Sequence, residues 1–278
     1  MGSTGRTVAS GTSPRGTTAT SPNPNPIPTN PVNQGNPDVQ NQVPDSNNTL
    51  VTPNALANLT AMDDDQMAAV VNAAKGVQMP NFLNDLHGRQ DRTQEFVFQI
   101  GLNELPQVLD STQFAQFMAD NGLVQRHIMS RSVNGTSYVN NDGTQVKLSG
   151  DQINEIIRSS RLNYIGGKRG GQAYGAGTYF EVNGGGNTGY GGVTMNAVLN
   201  PATARLVNDS DLSRRAAAWA VSHPKTAAAI GRFNGTTQSI YALCMGYNVI
   251  VSGNADPRKV GRGDYVNVID RSALVIRK

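Results

Sequence analysis

Three short stretches carry side chains whose types could hold and act on a charged, ring-bearing ligand. Arg131 stands in "IMSRSV", among Ile128, Met129 and Val133. A guanidinium is costly to bury unpaired, and its planar fork suits a phosphate or a carboxylate. Tyr179 lies in "GAGTYFEV", and Tyr190 follows eleven residues later in "NTGYGG". Two tyrosines framed by glycines can wall a flat ring, because glycine lets backbone and ligand approach closely. Asp264 stands in "VGRGDYVNVIDRSALVI", where a Gly-rich loop enters a strand. Each residue also has a plain structural alternative. Arg131 can be a surface arginine on the polar side of an edge strand, the tyrosines core or turn residues, and Asp264 a turn or cap aspartate.

These residues need elements to position them. "RHIMSRSV", "YFEV", "VTMNAVL", "YNVIVS" and "YVNVIDRSALVI" are β-branched and aromatic runs that read as strands. "GDQINEIIRSS" reads as a short helix with Ile153, Ile156 and Ile157 on one face, and "SDLSRRAAAWAVSHPKTAAAIGRF" and "TTQSIYALCMG" supply helices between strands. Upstream, "ALANLTAMDDDQMAAVVNAAKG" predicts an amphipathic helix with Thr60 as N-cap, Asp63 to Asp65 at its positive end and Gly76 as its stop. "DRTQEFVFQIGLNELPQVL" predicts a helix interrupted by Pro106, and "DSTQFAQFMADNG" a helix closed by Gly122. This order of strands and helices indicates an α+β fold. The chain divides into an Asn/Thr/Pro-rich arm (1–55), a small helical region (56–122) and an α+β domain (123–278). The arm has almost no apolar surface to offset its ordering entropy and is expected to be disordered. The remaining roughly 220 residues are enough for a sizeable core.

Composition excludes several classes. A net charge of +3 without a Lys/Arg run does not indicate strong binding to nucleic acid. The lone Cys244 excludes an internal disulfide and fits a reducing compartment, or a particle assembled in one. No apolar run approaches the ~18 residues of a membrane span, and the N-terminus has no signal-peptide apolar region. His87, His127 and His223 lie far apart without metal-ligand spacing, so no metal is expected. "GGKRGG" is not a phosphate-binding P-loop, and "GAGTYF" has Phe180 where the dinucleotide fingerprint needs its third glycine.

Taken in order, the three stretches resemble the ADP-ribosyltransferase superfamily, over roughly residues 126–276. "YGAGTYFEVNGGGNTGY" is similar to the G-x-G-[IT]-Y-F segment of the diphtheria-toxin and poly(ADP-ribose) polymerase branch, where a second ring-stacking tyrosine also follows after eleven residues. "IMSRSV" resembles the first strand of the arginine-using branch, and "DYVNVIDRSALVI" the closing strand that carries the catalytic glutamate. The resemblance implies a split-sheet core with flanking helices that holds NAD as a substrate in a cleft. Negative charge beside the ribosyl cation then promotes loss of nicotinamide. It implies that Arg131 holds a phosphate or ribose, that the Ser132 backbone holds the nicotinamide amide, that Tyr179 and Tyr190 sandwich the ring beside Gly177, and that Asp264 occupies the acid position.

The resemblance further implies mono-ADP-ribosyl transfer to a protein acceptor, in the cytoplasm of a bacterial host. The setting is a phage or prophage, near capsid or portal proteins, with packaging in the virion as one outcome. The loop Ser252 to Gly263 would meet the acceptor, and Arg258, Lys259 and Arg262 would favour an acidic one; the alternative is a solvated loop. The chain departs from the family in having Asp264 for glutamate, Ser132 for glycine, and no Gln/Glu-x-Glu pair or triad histidine. Glu181 or Glu155 could supply the carboxylate instead. The alternatives are an NAD glycohydrolase and a weak or inactive structural protein of a phage particle that keeps the fold.

Overall fold

The helical pattern that begins at Ala55 breaks where the side chains offer a better cap. In the computed structural model, which describes residues 55–77, 92–102, 104–139, 143–159, 177–182 and 192–278, α1 spans Ala55–Thr60 and α2 spans Asp64–Ala73. The N-cap is Asp63 rather than Thr60. Its carboxylate accepts from Gln66 N at 2.8 Å, while Gln66 accepts from Asp63 N at 3.1 Å, which satisfies two end donors at once. Thr60 instead donates to Ala57 O within α1. The arm expected over 1–55 lies outside the described residues, apart from Ala55.

The next helix, α3 (Arg92–Gln99), is shorter than the expected run to Leu109. Gly101 adopts φ 68, and beyond Pro106 the residues Gln107–Leu109 form strand β1. A proline cannot continue the helix, and the apolar residues that follow find a strand partner instead. Helix α4 (Ser111–Asp120) opens on an Asp110 capping box and closes before Gly122 at φ 67. Then come β2 (Met129–Val133), β3 (Thr136–Val139), β4 (Gln145–Leu148), α5 (Gly150–Ser159), β5 (Thr178–Val182), β6 (Val193–Leu199) and β7 (Leu206–Asn208). Pro224 divides the next helical stretch into α6 (Asp209–Ser222) and α7 (Pro224–Ile230). Helix α8 (Gln238–Cys244) and β8 (Val249–Val251) follow. The run expected as one final strand is two, β9 (Tyr265–Val268) and β10 (Leu274–Arg277), separated by a turn in which Asp270 accepts from Ser272 N at 3.0 Å.

The fold is mixed α+β, built on an open eight-stranded sheet ordered β1-β10-β6-β2-β5-β9-β8-β7. The β1–β10 and β7–β8 pairs are parallel and the others antiparallel. One face is apolar: Met129, Phe180, Val182, Met195, Val266 and Val268 pack with Ile153, Ile156 and Ile157 of α5. Fully buried Arg271 fastens the end of α5 to this layer, donating from Nη1 to Ile156 O at 3.1 Å and Ile157 O at 2.9 Å. Burial pulls its pKa down to about 10, against the pull of Asp270.

The opposite face is covered at its two flanks. On one, Phe114 and Met118 of α4 pack on Val198 and Val275. On the other, α1–α3 and α6–α8 form one apolar layer over Val207, Ile250 and Ile269. Helices of the 56–122 stretch thus share a core with elements beyond residue 200. Asp64 joins the two sets: its carboxylate accepts from Lys225 N at 2.9 Å and Thr226 N at 2.8 Å, capping α7 from α2.

Candidate functional site

Side chains alternate between faces along a strand, so register decides which of them can meet. On β2, Met129 and Val133 belong to the apolar layer, which sends Ser130 and Ser132 to the other face. On β5, Phe180 and Val182 are buried, and Tyr179 and Glu181 are half-buried on the other face. Likewise β6 presents Thr194 and Asn196, and β9 presents Tyr265 and Asn267.

Strand pairing sets these residues in rows. Asn196 is opposite Ser130, Ser130 opposite Glu181, and Glu181 opposite Tyr265. In the next row Thr194 is opposite Ser132, and Tyr179 opposite Asn267. Directly opposed side chains sit with Cβ atoms about 5 Å apart. Two contacts stitch the rows: Ser130 Oγ donates to Asn196 Oδ1 at 2.8 Å, and the Ser132 and Thr194 hydroxyls lie 3.1 Å apart. A polar strip four strands wide therefore lies between the two helical covers, and Tyr265 (41 % exposed) and Thr194 are open on it.

The residues singled out from sequence fall in different places. Tyr179 and Ser132 share the strip. Arg131 projects from β2 toward the apolar side, half-buried, and its Nη1 lies 3.5 Å from Tyr179 O. Gly177 precedes β5, and what comes close to it is a protein side chain: a Cβ there would overlap Asn267 Oδ1. Tyr190 lies outside the described residues, as do most of the flanking glycines.

Asp264 serves its own loop. Its Oδ2 accepts from Gly261 N at 2.7 Å, its backbone N donates to Gly261 O at 3.1 Å, and a Cβ on Gly253 would overlap its carboxylate. Val182 N donates to Asp264 O at 2.9 Å, which sets the residue beside Val182 on the apolar-side register. Two cations of the preceding loop are engaged: Arg258 Nε donates to Asn121 O at 3.1 Å, and Lys259 pairs with Asp256 at 3.3 Å. The Arg258 backbone N–H holds Asp256 below the usual carboxylate range. Arg262 is exposed.

Of the two substitute carboxylates, Glu155 is exposed on α5 and paired with Arg158 at 3.8 Å, on the far side of the sheet from the strip. Glu181 lies in the strip, and among the described residues no hydrogen bond or ion pair engages its carboxylate. The sequence reading did not single out Ser130, Thr194, Asn196, Tyr265 or Asn267. Their signal was present, as polar residues alternate with apolar ones along β5, β9 and the first half of β6, but only the pairing order shows that those residues adjoin.

No protein-family model, no curated protein and no solved structure matches the chain. Among the described residues no cluster of His, Cys, Asp or Glu could hold a metal ion, and no helix is long and apolar enough to cross a membrane. Cys244 is buried, and burial pushes its thiol up, away from reactivity.

Proposed function

We propose that the protein is an NAD-dependent mono-ADP-ribosyltransferase with the polar strip as its reaction seat, in which the sheet forms the split core of that superfamily. One observation carries this reading. The three stretches that resemble the family's signature segments lie on β2, β5 and at the start of β9, and these strands are consecutive neighbours in the sheet although far apart in sequence. Tyr179 is the platform for the nicotinamide ring, with Tyr190 as its proposed partner. Ser132, in the strip beside it, holds the amide. Arg131 acts through its contact with Tyr179 O, fixing the backbone that carries the platform. The acceptor is a host protein, in the cytoplasm of a bacterium infected by the phage that supplies the enzyme or packages it in the virion.

The test is incubation of the full chain with NAD labelled in the adenylate and a bacterial lysate. Label on protein and stoichiometric free nicotinamide are expected. Free ADP-ribose without labelled protein assigns the chain as a glycohydrolase instead. Neither product, together with no heat of NAD binding by calorimetry, overturns the enzymatic reading. A second reading, an inactive member of the fold serving as a particle component, is favoured by the tie between Asp264 and its loop. Incorporation into a particle with no NAD binding supports it.

A further inference from the structure

The family-like acid position and the carboxylate that faces the strip are different residues. Resting on the function proposed above, we infer that Glu181 is the catalytic carboxylate and that Asp264 is a positioning residue for the loop that closes β9. Three observations carry this. Glu181 lies in one cross-strand row with Ser130, Asn196 and Tyr265, on the same face as Tyr179 two residues before it. Glu181 is half-buried, and among the described residues no hydrogen bond or ion pair engages its carboxylate, so both oxygens can turn to a ligand. Asp264 lies on the other register, and its Oδ2 is held at 2.7 Å by Gly261 N, with Gly253 packed against the carboxylate.

The chemistry places a full negative charge where a cation develops. The bond from ribosyl C1′ to the pyridinium nitrogen breaks, and its electron pair leaves with nicotinamide, which becomes neutral. The C1′ cation is stabilised by the Glu181 carboxylate, which also accepts a hydrogen bond from the neighbouring ribose hydroxyl. An O–H or N–H nucleophile of the acceptor protein, or water, gives C1′ its electron pair, and its proton passes to Glu181. The Tyr179 platform and this carboxylate are both on β5, so one rigid strand sets their spacing.

The discriminating pair of substitutions is Glu181→Gln and Asp264→Asn. The asparagine keeps an oxygen for the Gly261 N–H and removes only the charge, and the glutamine keeps the shape at 181. Glu181→Gln is expected to lower kcat for nicotinamide release by about 10²- to 10⁴-fold, with KM for NAD and the thermal midpoint unchanged, while Asp264→Asn stays within about tenfold of wild type. A loss on Asp264→Asn equal to or larger than that on Glu181→Gln overturns the assignment and leaves the NAD reading standing. Carbodiimide–amine labelling of wild-type carboxylates, read by mass spectrometry, needs no variant to fold. NAD is expected to protect Glu181 and not Asp264, and protection of Asp264 alone overturns the assignment. A wild type that neither binds nor cleaves NAD overturns the proposed function and this inference with it.

Discussion

Phe180 packs into an apolar layer with Val182, Met195 and Val266, whereas Glu181, one residue later, stands in a row with Ser130, Asn196 and Tyr265. The same four strands thus build two unlike surfaces. The apolar cluster on one runs from β10 to β7. The other is apolar only at its flanks, where helices cover it, and polar through its centre. A sheet that needed both faces for stability alone would carry near-continuous hydrophobic runs on its central strands. Here the central strands give up that burial on one side, and the stability is supplied by the flanks.

The largest effect expected from this contrast is on the apolar side. Phe180 is 1 % exposed. Phe180→Ala is expected to cost about 3–5 kcal/mol through lost burial and the cavity left behind, read as a shift of the denaturant midpoint at constant slope. A change near zero would show that β5 does not anchor the layer. Next comes Gly177→Ala at the mouth of the strip. The added methyl would overlap Asn267 Oδ1, so the fully buried Asn267 side chain has to shift within the core. A cost of about 1–3 kcal/mol is expected from this overpacking. A neutral result would mean that the Asn267 side chain yields to the methyl at no cost.

Much of the fold was legible in the residues, because local chemistry and the final packing agree there. The alternation in "VTMNAVL" is β6 residue for residue, and Asp110 with Gln113 marks the start of α4. Boundaries failed where two signals competed. Thr60 and Asp63 are both capping types, and only the Gln three residues after Asp63 decides between them. "PQVL" looks like the tail of an interrupted helix until its partner strand, β10, is known, and that partner lies some 170 residues on in a pairing no local pattern encodes. The site behaved the same way. Tyr179 could be picked out by its glycines and aromatic neighbours. The face on which Asp264 lies depends on a register offset of one residue, which spacing along the chain does not reveal.

Asp64 sharpens the contrast from another direction, since it is a carboxylate the fold uses fully. Although partial burial acts to raise its pKa, the side-chain and backbone hydrogen bonds from Thr226 and the one from the Lys225 backbone lower it below the ordinary 3.8. A depressed folded-state value means that the stabilisation is complete above the unfolded value and is lost as pH falls through the folded one. The wild-type unfolding midpoint is therefore expected to drop as pH falls through and below 4, and Asp64→Asn to flatten that dependence while lowering stability at neutral pH. An unchanged acid limb in the variant would assign the acid sensitivity to other carboxylates.

The smallest expected effect on stability is the most informative about the strip. Glu181→Gln removes a charge that no partner in the described fold requires, and on a half-exposed position such a change is expected to stay within about 0.5 kcal/mol. Three kinds of outcome can be read from the same unfolding curve. A loss of 1–3 kcal/mol, roughly the cost of stranding a buried group's partner, would mean that the carboxylate is built into the fold, as Asp64 is, and the strip would then be structural along its length. A gain would mean that the lone charge is being held at some expense in stability, which is the usual condition of a group kept for chemistry. A result near zero leaves the charge unused by folding. The row Asn196–Ser130–Glu181–Tyr265 would then contain a carboxylate with no task in holding the protein together, on the face of the sheet where Tyr265 is exposed.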